Sequence, residues 1–136
     1  MLTFVDTNIL VYAFDPSLGQ KHLRARSLCV ELLDGDQLCL STQVLQELYV
    51  TLTRKAGIAS DTALTVLDDL SQWPVFTIDY PAIRHAARIA QDNQLSFWDA
   101  LLLSAANRLG APILLTEDLN HGQTVAGVRI QNPFRD

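Results

Sequence analysis

Short apolar runs recur along the chain at residues 2–5, 38–40, 75–78 and 113–115, with a weaker one at 128–130. Runs of this length, bounded by polar and turn residues, predict strands buried on both faces. Between them the spacing becomes helical. Ala63, Val66, Leu67 and Leu70 fall at i, i+3, i+4 and i+7, and Ile83, Ala86, Ala87 and Ala90 repeat that order. Pro81 suits a first helical turn, and Gly57 and Gly110 follow helical stretches where C-terminal caps belong. Strands alternating with helices predict an α/β fold: a twisted, mainly parallel sheet of four to five strands flanked by helices on both faces. No repeat, low-complexity tract or linker interrupts the pattern, so a single domain over residues 1–136 is expected.

Three of these strands run straight into an acid: Asp6, Asp79 and the Glu117-Asp118 pair. In open parallel sheets ligands bind beyond the carboxyl ends of the strands, so acids placed there meet in space although distant in sequence. Asp79 stands two residues before Pro81 and reads as a helix cap or turn. Asp6 precedes Thr7 and Asn8, themselves good caps, and is therefore expected to be free for another role. On a helical wheel over 97–108, Ser104, Asn107 and Arg108 share one polar sector. Asp99 lies about 130° from its middle, among Leu102, Leu103 and Ala106. A carboxylate on an apolar side must be hydrogen-bonded or bound to a cation, although Ser96 and Asp99 also fit a capping box. Over 42–55, Val44, Leu45, Leu48 and Leu52 form the apolar face, and Glu47 falls beside Gln43 and Arg54 on the polar one. Spacing alone makes Glu47 a solvated residue.

Composition narrows the chemistry. Ten Lys and Arg against fifteen Asp and Glu give a net charge of −5, unlike a protein that holds nucleic acid simply by neutralising phosphates. Acids convergent on divalent cations account for that deficit in another way. Cys29 and Cys39 lie outside any C-x-x-C pair and away from histidine at zinc-ligand spacing, so two buried free thiols are expected. No apolar run reaches membrane-spanning length, and the first basic residue is Lys21, unlike a secretory signal. A cytoplasmic protein with no membrane partner is expected.

Taken together the motifs resemble a PIN-domain ribonuclease, specifically the VapC-type toxin of toxin–antitoxin pairs. Phe-Val-Asp-Thr-Asn-Ile-Leu-Val-Tyr-Ala at 4–13 is similar to the family's first motif, and Ser-Thr-Gln-Val-Leu-Gln-Glu-Leu at 41–48 to its second. Ser-Phe-Trp-Asp-Ala-Leu-Leu-Leu-Ser-Ala-Ala at 96–106 resembles the third, Leu-Leu-Thr-Glu-Asp-Leu-Asn-His-Gly at 114–122 the fourth, and Asn132-Pro133-Phe134 a common ending. The likeness implies four catalytic, metal-holding acids, Asp6, Glu47, Asp99 and Asp118, gathered within a few ångströms around Mg²⁺ or Mn²⁺. It thereby turns Glu47 inward. It also implies that Thr7, Asn8 and Thr116 orient the carboxylates or a water, with Glu117 a substitute for the fourth acid. An RNA substrate, a homodimer and an antitoxin that obstructs the pocket are implied as partners.

Mg²⁺ prefers oxygen ligands and keeps several waters. Such ions would bind a scissile phosphate oxygen, lower the pKa of a bound water and stabilise the leaving oxygen. Without the four acids the net charge would be −1, so the acidity sits largely in the proposed site. Arg84 and Arg88, one helical turn apart, and His121 are candidate RNA contacts. A haloacid-dehalogenase-like phosphatase also begins with a strand and an Asp, but it needs a second Asp at position 8, which is Asn, and a downstream Lys, where only Lys21 and Lys55 occur. A non-catalytic PIN-like module binding RNA or protein remains the other alternative; the full set of acids argues against it.

Overall fold

The computed structural model describes residues 1–135. The sheet has the order β3-β2-β1-β4-β6-β5, formed by β1 (Thr3–Val5), β2 (Leu38–Ser41), β3 (Val75–Phe76), β4 (Ile113–Leu115), β5 (Thr124–Val125) and β6 (Val128–Gln131). All pairings are parallel except β5 with β6. The five expected strands are present. The sixth, β5, joins β6 through Ala126 and Gly127, at φ 53° and 75°. Positive φ at both central residues is the signature of a type I′ hairpin, which twists with its strands. The run at 75–78 pairs only over its first two residues; beyond them the Ile78 N–H donates to Thr42 Oγ1 at 3.3 Å instead.

Six α-helices are present among the described residues: α1 (Thr7–Phe14), α2 (Gln20–Asp34), α3 (Thr42–Arg54), α4 (Ser60–Leu70), α5 (Tyr80–Asn93) and α6 (Phe97–Leu109), with a single 3-10 turn at Pro16–Leu18. The chain steps from β1 to β2 to β3 in one direction, then returns past β1 to β4. Right-handed crossovers therefore put α1–α4 and the α5–α6 pair on opposite faces. That double cover explains the unbroken apolar strands: Phe4, Leu40, Leu114 and Ile130 are fully buried, packed with Ile9, Leu48 and Leu103 from the helices. Every residue of α6 from Ala100 to Ala106 is buried, as expected of a helix lying inside the molecule. Gly110, at φ 75°, ends α6 as expected. Gly57 instead lies beyond α3, whose cap is Lys55.

The strand order reverses between β1 and β4, leaving a crevice at their carboxyl ends. Asp6 follows β1 and Thr116–Asp118 follow β4, and the Asp6 N–H donates to Leu115 O at 3.0 Å. Cys29 and Cys39 are free and buried, and burial pushes their thiols to about 11 and about 12.

Because Leu103 is wholly enclosed between sheet and helix layer, Leu103→Ala is expected to cost about 2–5 kcal/mol in urea unfolding. A loss below about 1 kcal/mol would mean that the core closes around the gap.

Candidate active site

A cavity of about 380 Å³ opens at the crevice, and Asp6, Glu47, Asp99 and Asp118 all line it. Each acid arrives by a different local device. Asp6 does cap α1, contrary to the expectation that Thr7 or Asn8 would: Oδ1 accepts from the Thr7 N–H at 2.6 Å. Its second oxygen accepts from Thr116 Oγ1 at 2.8 Å, so one carboxylate serves helix and neighbouring strand together. Asp99 sits in the first turn of α6, where its N–H donates to Ser96 Oγ at 3.1 Å. The capping reading and the cavity placement coexist there.

Glu47 is exposed, as its spacing predicts, yet the polar face of α3 is itself a cavity wall: Gln43, Glu47, Thr51 and Lys55, each four residues apart, all line it. Thr7 Oγ1 donates to Glu47 Oε1 at 3.0 Å, and Asn8 Nδ2 donates to Asp118 Oδ2 at 3.0 Å. The Asp118 N–H in turn donates to Thr116 Oγ1 at 3.1 Å. Thr7, Asn8 and Thr116 thus connect three of the four acids.

Glu117 does not line the cavity. Tyr12 Oη and Lys21 Nζ both donate to it, and the Lys21 ammonium also lies 5.1 Å from the centre of the Tyr12 ring and 5.4 Å from that of Phe134. Burial raises the Glu117 pKa, but the bonds from Lys21 and Tyr12 outweigh it and the carboxyl stays below its usual range. His121 Nδ1 accepts from the Asn132 N–H at 3.0 Å, tying the loop after β4 to the end of β6. Arg84 and Arg88 line a separate cavity. Tyr12, Gln43, Thr51, Lys55 and Trp98 line the acid cavity without having been singled out from sequence. The four-residue polar stripe of α3 was the signal available for three of them.

Asp6 is only 4% exposed, and its pKa is raised to about 6. Burial is the main cause; the bonds from Thr116 and Thr7 oppose it, and the charges of Asp118 and Glu47 add to it. Asn8 Oδ1 and Gln43 Oε1 are buried without hydrogen-bond partners, although Gln43 Nε2 donates to the Trp98 carbonyl at 3.3 Å. A buried carboxylate repelled by its neighbours, beside orphaned amide oxygens, fits a hard divalent cation. Among the described residues no three His, Cys, Asp or Glu side chains close into a preformed cage. The expected gathering within a few ångströms is thus looser than the motifs implied. A shared cavity of this kind suits an ion that keeps several waters and bonds one or two carboxylates directly.

Residues 3–126 match the PIN domain family. No curated protein matches the sequence. Among solved structures, a toxin–antitoxin complex from Klebsiella pneumoniae is similar with a TM-score of 0.70 and 20% identity, covering 98% of this chain and 99% of that one. VapBC2 from Rickettsia felis, bound to a promoter DNA fragment, gives 0.68 and 20%, covering 97% and 98%. The VapC20 toxin of Mycobacterium tuberculosis, described as cleaving the sarcin-ricin loop, gives 0.65 and 19%, covering 82% and 86%. At these identities the likeness establishes the fold.

The raised Asp6 pKa carries a stability signature. The folded state binds this proton more tightly than the unfolded state, whose carboxyl keeps the ordinary 3.8. The penalty is therefore absent below about pH 4, grows as pH rises towards about 6 and is complete above it, at up to about 3 kcal/mol. In metal-free buffer the stability difference of Asp6→Asn over wild type is expected to widen from pH 4 to pH 7. Parallel melting curves across that range would show that Asp6 is not strained by its burial.

Proposed function

Because the chain belongs to the PIN domain family, we propose that it is a metal-dependent endoribonuclease, the toxin of a toxin–antitoxin pair, hydrolysing RNA phosphodiester bonds and so inhibiting translation. The observation that carries this reading is the single cavity shared by Asp6, Glu47, Asp99 and Asp118, four acids drawn from four separate stretches of chain. Two of the similar structures, a toxin–antitoxin complex and a toxin that cleaves the sarcin-ricin loop, support it. On the same reading the substrate is RNA, the cognate antitoxin is a protein partner, and the chain acts in the cytoplasm as a homodimer of one-domain subunits spanning residues 1–136.

The four acids would hold Mg²⁺ or Mn²⁺, with Asp6 and Asp99 the leading ligands. When bound, such an ion supplies Lewis acidity towards a phosphate oxygen and lowers the pKa of water. The chain's own groups do the positioning. Thr116 and the Thr7 amide fix both oxygens of Asp6, so its orientation is set before any ligand arrives. Thr7 and Asn8 hold Glu47 and Asp118 through their side chains. Lys55, at the far end of the α3 stripe, contributes a cation to the cavity wall that suits a phosphate oxygen.

Asp6→Asn and Asp99→Asn are each expected to abolish Mn²⁺-dependent cleavage of labelled RNA while the protein still unfolds cooperatively. Wild-type cleavage is expected to stop with EDTA. Full activity in either variant would refute the assignment, and cleavage that survives EDTA would refute metal dependence. Isothermal titration is expected to give Mn²⁺ binding that weakens sharply in Asp118→Ala and is retained in Glu117→Gln. Thr116→Val, which removes the hydroxyl on Asp6 with little change of shape, is expected to weaken binding by about 10–100-fold. Unchanged affinity in Asp118→Ala would remove that residue from the site.

A further inference from the structure

A second cavity, of about 540 Å³, opens where α5 packs on α6, lined by Pro81, Arg84, His85, Arg88, Asn107 and Arg108. Its wall carries three guanidinium groups, an imidazole and an amide, and no carboxylate. Among the described residues the one ion pair is Lys21–Glu117, so none of these arginines is paired. In a chain with net charge −5, three unpaired cations lining one concave surface form a local positive patch that attracts a polyanion. We propose that this cavity binds the phosphodiester backbone of RNA at a place separate from the acid cavity, an inference that rests on the ribonuclease reading for the identity of its polyanion.

The wall is built as well as charged. Arg108 Nη2 donates to the Pro81 carbonyl at 3.0 Å, which anchors one edge of the guanidinium and leaves its other donors free. Ser104 Oγ, fully buried, donates to the Ala82 carbonyl at 3.2 Å and therefore accepts from His85 Nδ1 at 2.9 Å. That bond puts the proton of the neutral His85 ring on Nδ1 and leaves Nε2 an acceptor, suited to a ribose hydroxyl rather than to a phosphate oxygen. Of the polar sector of α6 noted in the sequence, Ser104 and Arg108 thus face α5, while Asn107, also on the cavity wall, donates from Nδ2 to the Ala126 carbonyl at 2.9 Å. Arg84 and Arg88, one turn apart on α5, supply two more forked donors. Guanidinium forks match phosphate oxygens bidentately. A second copy of this chain offering the same face would bring like charges together.

The geometry predicts which RNA uses the site. Nine residues separate Asp99 from Arg108 on α6. That is about 14 Å along the axis and about two and a half turns, so the two cavities lie on opposite sides of the helix. At about 3.4 Å per stacked nucleotide, a strand must exceed roughly four nucleotides to reach both. A dinucleotide cannot.

The test compares wild type with the triple variant Arg84→Ala/Arg88→Ala/Arg108→Ala. Fluorescence anisotropy with labelled transfer RNA in EDTA is expected to show an affinity loss of at least about tenfold and a salt-dependence slope reduced by about 2. Cleavage of a dinucleotide in Mn²⁺ is expected to be unchanged, with the loss for long RNA confined to KM. Should the triple variant fail to fold, Arg88→Ala alone is expected to lower the slope by about 0.7. Unchanged RNA affinity and slope would overturn the proposal, even if the protein cuts RNA. Loss of polyglutamate binding with RNA binding intact would overturn it too, assigning the cavity to an acidic protein. RNA binding that depends on the arginines in a protein that cuts no RNA would uphold this site and defeat the nuclease reading.

Discussion

The buried carboxylate of Asp6 is the constraint around which the site is organised. It stands where β1 ends and the strand order reverses, and it is bonded on one side to the first turn of α1 and on the other to the residue after β4. Two segments that are 110 residues apart are thereby fixed to one group. Burying a carboxylate opposes ionisation, and the nearby Asp118 and Glu47 charges oppose it further. The fold tolerates an electrostatic penalty at this crevice that a cation would remove.

The other acids depend on that arrangement. Thr7 and Asn8 reach Glu47 and Asp118 because Asp6 caps the helix they begin. Glu117, one residue from Asp118, points to Lys21 and Tyr12 instead, so adjacent carboxylates are divided between the acid cavity and a structural ion pair. Negative charge is concentrated in one cavity and unpaired positive charge in another across α6. An acidic protein can in this way present a local surface to a polyanion.

Much of this was legible in the sequence, for identifiable reasons. A strand covered on both faces has to be apolar throughout, and the runs at 2–5 and 113–115 showed it. The hairpin strand Thr124–Val125 escaped because it is only two residues long and turns on Ala-Gly rather than Asn-Gly. Asp6 was found, but its capping of α1 was not, because Thr7 and Asn8 offered equally good caps. Periodicity described Glu47 correctly as lying on the polar face of α3; it could not reveal that this face lines a cavity, since that depends on α1 and α6 packing alongside. For the same reason Ser104 read only as part of a polar sector with Asn107 and Arg108, and its full burial against α5 was not foreseen.

The account as a whole requires that the acid cavity hold a hard divalent ion. The most direct test is an anomalous difference map from crystals grown with Mn²⁺. A peak bonded to Asp6 and to at least one of Glu47, Asp99 and Asp118 is the predicted result. An empty cavity at saturating Mn²⁺, or a peak only at some other carboxylate, would contradict it.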